Sequence, residues 1–446
     1  MASQFRPPSD LLEQAARLWK ETRRRLKEPG SLRREAGNLF RRAYQSGVQT
    51  YREGVQEIYR QKTPQERAKE RESRELASGP MDLPFCFLVT LLMAIGLVML
   101  LSASFPSAYY SERYNHDPAY FFKRQAVFAL LGIVFMLAVS RVNYQRFRGL
   151  GRGMLYVSVV LLALVLVPFI GIEMNNARRW LGYRPVFTFQ PSEIAKVAIV
   201  LFFADSISRK RDRMRSFQEG ILPYALWLLL VGGLVAKEPH LSGAIIIMGT
   251  GAIMMMVGGI HLGWIVGAAA AAGAALYVIL FIIGYNTSRI TYWLNPWSDM
   301  RGKGYQLSQS LISIGSGGLL GVGLGKSRQK FLYLPEEHND FIFAVVCEEL
   351  GLVGACLIML LFAALILRGY WIALHARDRF GSLLAVGVTT LIAMQTFLNI
   401  GVVTGLLPTT GISLPFFSYG GTAILIQLAQ MGIVLSVSRQ MKPPRR

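Results

Sequence analysis

From Leu83 onward the chain is a succession of apolar runs, each roughly 18 to 25 residues long, the length an α-helix needs to cross a hydrocarbon core of about 30 Å. The runs fall near 84–105, 123–140, 153–171, 190–207, 221–236, 241–259, 262–284, 341–367, 382–404 and 415–438. In lipid every backbone N–H and C=O must be satisfied within its element, which leaves helices and closed barrels, and these runs lack the alternation of a barrel strand. The expected fold is therefore all-α: a polytopic membrane protein with about ten transmembrane helices and a large extracytoplasmic loop between spans 7 and 8. Residues 81–446 form this domain, with the loop at 285–340, and residues 1–80 form a polar arm without a cleavable signal peptide.

Lysine and arginine set the orientation, because short cytoplasmic loops carry an excess of them. Arg141, Arg146, Arg148 and Arg152 form one cluster, and Arg209, Lys210, Arg211, Arg213 and Arg215 a second. Arg368, Arg377 and Arg379 form a third, and Arg439, Lys442, Arg445 and Arg446 a fourth. About ten spans place all four clusters and both termini on one side, the cytoplasm. Segments 106–122, 172–189, 237–240, 285–340 and 405–414 then face outward. The formal net charge of +21 is explained by this orientation and by attraction to anionic lipid, which argues against nucleic acid as a partner. Cys86, Cys347 and Cys356 sit in or at the edge of apolar spans without disulfide or metal-ligand spacing, and read as packing residues.

In the arm, Leu11, Leu12, Ala15, Ala16, Leu18, Trp19 and Leu26 partly follow helical spacing opposite Arg23, Arg24 and Arg25. That pattern suits a basic amphipathic helix at the membrane surface or a docking segment for a cytoplasmic partner. A solvated, partly disordered arm fits the same composition.

The stretch from Trp293 to Gly351 is dense in charge and glycine, yet set between apolar spans. A compact protein rarely keeps so long a connection without a function, so the chemistry is expected here. Gly325-Lys326-Ser327 resembles the end of a phosphate-binding P-loop, but that motif needs glycine where Leu320 stands, and the outward side lacks cytosolic nucleotide. His116, His240, His261, His338 and His375 are scattered over different loops and make no case for a metal cluster.

Two charged features lie outside this loop. Glu193 and Lys196 fall on one face of the fourth span, where a paired acid and base facing the bundle interior leave a polar patch; an ion pair that only fixes packing is the alternative. Arg178 and Arg179 follow Asn175 and Asn176 on the outer side, beside Trp180. Planar guanidinium forks match phosphate oxygens, so they suit a pyrophosphate clamp or a lipid-headgroup anchor.

The polar motifs NNARRW at 175–180, FQPSEIAK at 189–196, NPWSD at 295–299, GYQLSQSL at 304–311, GLGKSRQKFLYLPEEHNDFIFAVVCEELG at 323–351 and GLLPTTGISLPFFSYGGT at 405–422 resemble those of the SEDS family (shape, elongation, division and sporulation) in the same order. The NPW opening, GYQLSQSL and GLGKSRQK are more similar to the FtsW and sporulation branches than to RodA. One departure is Glu238-Pro239-His240-Leu241-Ser242-Gly243, where the family often carries Asp at the position of His240. The long arm is also beyond the family pattern.

The resemblance implies an inverting peptidoglycan glycosyltransferase that polymerises lipid II into glycan strands. It implies partnership with a class B penicillin-binding protein and with division or elongation machinery. The family's essential loop carboxylate corresponds to Asp299, which would accept the proton of the attacking sugar hydroxyl. A turn-forming Asp is the plainer alternative for that residue. The expected substrate-binding set is Arg178, Arg179, Glu193, Lys196, Lys303, Lys330, Glu336, His338, Asp340 and Ser418, in or beside the matching motifs. Lys326 and Arg328 add further cations for the leaving group, and a divalent cation, magnesium or manganese, is a candidate for the same task, with Asp299, Glu336 and Asp340 as its oxygen ligands. No organic cofactor is expected. Glu348 and Glu349, inside the eighth span, are expected to find partners within the bundle. A lipid II flippase and a scaffold acting through the arm are the competing readings, and both leave Asp299 dispensable.

Overall fold

The computed structural model describes residues 79–441 apart from 175–176, 184–186, 262, 265, 268–269, 271–272 and 274–286. All described residues belong to the unit spanning 73–446. The expectations for the arm and for the span at 262–284 therefore fall outside the described residues.

The helices are α1 (Leu83–Tyr109), α2 (Tyr120–Arg141), α3 (Leu150–Leu166), α4 (Pro191–Lys210), α5 (Leu222–Lys237), α6 (Leu241–Val257), α7 (Thr287–Leu294), α8 (Tyr305–Gly317), α9 (Ile342–Leu374), α10 (Arg379–Val403) and α11 (Gly421–Ser438). Six helical stretches among the described residues are long and apolar enough to cross a membrane: α1, α2, Phe217–Lys237, α9, α10 and α11. This is an all-α, multi-pass membrane fold. Two shorter apolar helices, α3 and α6, fall on expected spans. So does α4, which carries Glu193, Lys196 and Asp205 yet is buried on nearly every face. Its charges are tolerated because protein rather than lipid surrounds them.

Segments expected on the same side come together. At one end Trp293 Nε1 donates to Gly405 O at 2.8 Å, Asn399 Nδ2 to Asp340 O at 2.7 Å, and the Ser107 hydroxyl to Glu337. At the other end Arg368 grips Asp82 at 2.8 Å, Arg379 donates to Gly258 O, and Asp378 accepts from Tyr144 and Arg148, each at 2.8 Å. Asp82 and Asp378 also cap the N-termini of α1 and α10.

The structure departs from expectation in the connections. The third span ends at Leu166, and the outward segment after it folds into a three-stranded antiparallel sheet, β1 (Ile172–Met174), β2 (Ala177–Tyr183) and β3 (Phe187–Phe189). The last helix begins at Gly421, because Pro415 and the left-handed backbone at Phe416 turn the preceding segment out of helical geometry. The described part of the long segment, 287–340, is also more ordered than a loop: α8 buries Ser308, Ser310 and Ser313, and its Ser313 hydroxyl donates to Ala344 O and to Glu348.

Below α8 the chain meets a break in α9. Gly351 has φ +67°, and a Cβ there would lie 2.2 Å from Gly321 N, so only glycine fits. Across the break Val322 N donates to Glu348 O, Gly323 N to Glu349 O, Leu352 N to Gly318 O and Val353 N to Leu319 O. The segment thus runs beside α9 for about 13 Å, nine residues of helical rise, instead of lying wholly outside the bundle. Irregular backbone at such depth is tolerated because protein, not lipid, satisfies it.

Candidate active site

A cavity of about 420 Å³ opens at the end that carries the sheet. The α5–α6 junction contributes Pro239, His240 and Ser242, while Tyr292, Lys303 and Gln306 come from the long segment. Asp340 precedes α9, and Thr409, Thr410 and Gly411 follow α10. Arg179 enters from β2.

Strand geometry decides what the two arginines do, because neighbouring side chains on a strand point to opposite faces. Arg179 donates to the backbone carbonyls of Glu238, at 3.1 Å, and Pro239, and lines the cavity. Arg178 pairs across the sheet with Glu173 at 3.2 Å, 43% exposed. The expected double clamp is therefore separated: one guanidinium faces the cavity and the other the surface.

Asp299 ends the short helical turn Pro296–Asp299 and is partly buried. Its Oδ2 accepts the backbone N–H of Lys303 at 3.0 Å, and the Ser308 hydroxyl holds the turn through Pro296 O, also at 3.0 Å. Asp299 does not line the cavity itself; it is tied to Lys303, which does. One oxygen of this carboxylate is thereby committed to holding the turn.

Three ionisable groups in or beside the cavity, Asp340, Glu238 and His240, are displaced from their ordinary ranges. Burial pushes the Asp340 carboxyl up to about 7, with Glu336 adding to the rise and Arg179 and His338 opposing it. Glu238 is fully buried and pushed up to about 8 by burial, against the pull of Arg179. Among the described residues neither of its carboxyl oxygens has a hydrogen-bond partner. Burial holds His240 down at about 3, helped by the charges of Arg179 and Lys196. Its Nδ1 lies 3.0 Å from Gln190 Nε2, a geometry in which the neutral ring accepts and keeps its proton on Nε2. Lys196 itself bonds Glu193 at 2.7 Å, both side chains almost wholly buried, as their spacing on α4 implies.

Other expected binding residues lie elsewhere. Lys330 is 2% exposed and is bound to Glu349 Oε1 at 2.8 Å, Ser102 and Gly325 O; all three ammonium donors hold the loop, so none faces substrate. Glu348 accepts from Ser313, Ser327 and Arg328 N, so both glutamates find the partners expected of them. Ser418 accepts from Leu414 N and donates to Asn339 O, both at 2.7 Å, stitching two loops. His338 lies 3.3 Å from Glu337 and stacks 4.5 Å from the Phe121 ring. Glu336 takes the Asn339 amide at 2.6 Å. These three back the Asp340 segment without lining the cavity. Asp299, Glu336 and Asp340 are not gathered as metal ligands, and among the described residues no three His, Cys, Asp or Glu side chains are.

Sequence reasoning missed the buried Glu238 beside the cavity and the lining residues Tyr292 and Gln306, and gave the Thr409-Thr410-Gly411 segment no role. A glutamate followed by proline just after an apolar span was a signal for the first.

The family described as cell cycle protein, FtsW/RodA/SpoVE, matches residues 82–443. A probable peptidoglycan glycosyltransferase FtsW of Geobacter metallireducens is 41% identical over 360 residues, 80% of this chain and 95% of that protein. Stage V sporulation protein E of Bacillus subtilis is 42% identical over 80% of this chain and 97% of its own length. Among solved structures, a chain of a peptidoglycan synthase complex that coordinates polymerization and crosslinking aligns with TM-score 0.66 at 29% identity, covering 80% of this chain and 98% of that one. The rod shape determining protein RodA of Thermus thermophilus aligns with TM-score 0.59, also at 29% identity, covering 81% and 98%. Motifs, helical bundle and relatives agree, and the chain belongs to the FtsW/RodA/SpoVE family, the SEDS proteins.

Proposed function

We propose that this peptidoglycan glycosyltransferase of the FtsW/RodA/SpoVE type polymerises lipid II on the outer face of the cytoplasmic membrane with inversion, for septal synthesis. The observation that carries the site assignment is the junction of Asp299 with Lys303 at the mouth of a cavity that Arg179 also enters. Asp299 takes the proton from the attacking sugar hydroxyl. Inversion needs one such base and no covalent intermediate. Arg179 and Lys303 neutralise the departing pyrophosphate. Neutral His240 and Glu238 add no negative charge beside it. The NPW, GYQLSQSL and GLGKSRQK motifs favour the FtsW and sporulation branches over RodA, and the septal assignment takes the first of these two.

The proposed working form includes a class B penicillin-binding protein as crosslinking partner, in keeping with the likeness to a chain of a peptidoglycan synthase complex. Both termini lie in the cytoplasm in this reading. The basic clusters support that side, and so does the chain path: Gly258 sits at the end of the bundle with Arg379, and Trp293 at the end with Gly405. The decisive test is strand synthesis from lipid II by the purified complex. Headgroup translocation without polymer would replace the polymerase with a flippase.

A further inference from the structure

At the end opposite the active-site cavity, α3, α4 and α5 enclose a cleft of about 280 Å³ that the polymerase reading does not use. Its wall is aromatic. Trp227 packs edge to face against Tyr156, ring centroids 5.6 Å apart, and against Phe202 at 6.0 Å. Its rim is cationic, with Arg152 from the first turn of α3 and Lys210 from the last residue of α4. Lys210 donates to Glu219 O at 2.7 Å, which positions its ammonium and leaves two donors. Arg152 is exposed and has no ion pair or hydrogen bond among the described residues.

The nearby acids do not neutralise this rim. Asp205 is taken by Arg209 at 2.8 Å and Glu219 faces Arg213 at 3.4 Å. The cleft opens sideways, beside Tyr156 at 61% exposure and the outward leucines 226 and 229 of α5, so its mouth meets the lipid-facing surface rather than a water-filled vestibule. Two cations above an aromatic floor at the basic end of a membrane bundle match a phosphate ester joined to apolar chains.

We propose that this cleft binds the phosphate of an anionic phospholipid headgroup from the cytoplasmic leaflet. Arg152 and Lys210 engage the phosphate, and Tyr156 and Trp227 pack against the glycerol and first methylenes. Native mass spectrometry of the full chain in detergent tests this with dioleoyl phosphatidylglycerol, dioleoyl phosphatidylcholine and glycerol 3-phosphate as probes. Phosphatidylglycerol should be retained in preference to phosphatidylcholine. Arg152→Glu, which breaks no contact, should cut its retention about ten-fold, and Arg152→Gln less. Trp227→Ala should also lower it. Equal retention by wild type and Arg152→Glu, or no preference between the lipids, overturns the proposal. Displacement of the lipid by equimolar glycerol 3-phosphate would assign the site to a soluble phosphate and overturn the lipid source.

Discussion

Around Glu348 and Glu349 all four carboxylate oxygens accept hydrogen bonds, from Ser102, Ser313, Ser327, Lys330 and backbone amides. Around the outer cavity Glu238 has no partner for either oxygen among the described residues, and Asp340 and His240 titrate far from their ordinary ranges. The two regions occupy the same outer half of one bundle, yet one satisfies its charges and in the other burial drives the ionisable groups toward their neutral forms. Satisfied charges hold backbone in place; buried groups kept short of partners cost stability, and that cost is characteristic of sites that handle a ligand. The contrast separates scaffold from machinery more clearly than charge content does.

The largest expected effect lies in the machinery. Asp299→Asn keeps an oxygen to accept the Lys303 N–H but removes the base, so strand synthesis by the purified complex should fall about 100-fold to 10,000-fold with little change in thermal unfolding. A variant that still polymerises at the wild-type rate would remove Asp299 from catalysis. At the scaffold, Glu349→Gln strands the Lys330 charge and should cost about 3–5 kcal/mol, whereas adding Lys330→Met should recover much of the loss. Equal unfolding temperatures for single and double variants would show that this pair does not hold the loop.

Smaller effects sharpen the comparison within the cavity. Arg179→Lys keeps the charge but loses the fork, and should weaken lipid II affinity about ten-fold, while Arg178→Lys should change it less than about two-fold. Equal effects would mean that both arginines reach the substrate. The smallest concerns pH. Glu238 is pushed from 4.5 to about 8 by burial, so across that window the folded chain keeps a proton that the unfolded chain releases, and stability falls as pH rises. Asp340, raised from 3.8 to about 7, contributes with the same sign. Glu238→Gln should flatten the decline and raise the unfolding temperature at pH 8 by a few degrees. An unchanged slope would leave Glu238 without this role.

The helices were legible because apolar length is a direct requirement of the bilayer, and Glu193–Lys196 was legible because its partners sit one helical turn apart. Arg178 and Arg179 were harder. Adjacent in sequence, they read as a pair, and only the strand that carries them sends them apart. The pairing of Lys330 was not legible because its partner, Glu349, belongs to another element, and no local pattern reports a contact made by folding the loop back along α9. The family motifs singled out Asp299, but its link to the cavity through Lys303 is a fact of three dimensions.

The broken helix at Gly351 bears on biogenesis. As the second half of α9 enters the bilayer, two carbonyls above the break and two amides below it lack helical partners, and among the described residues their partners lie in 318–323, already synthesised. Insertion of this span is thereby coupled to docking of the segment before it. Gly351→Ala or Gly321→Ala should therefore appear first as reduced membrane yield and degradation by quality-control proteases, before any loss of turnover in the molecules that survive.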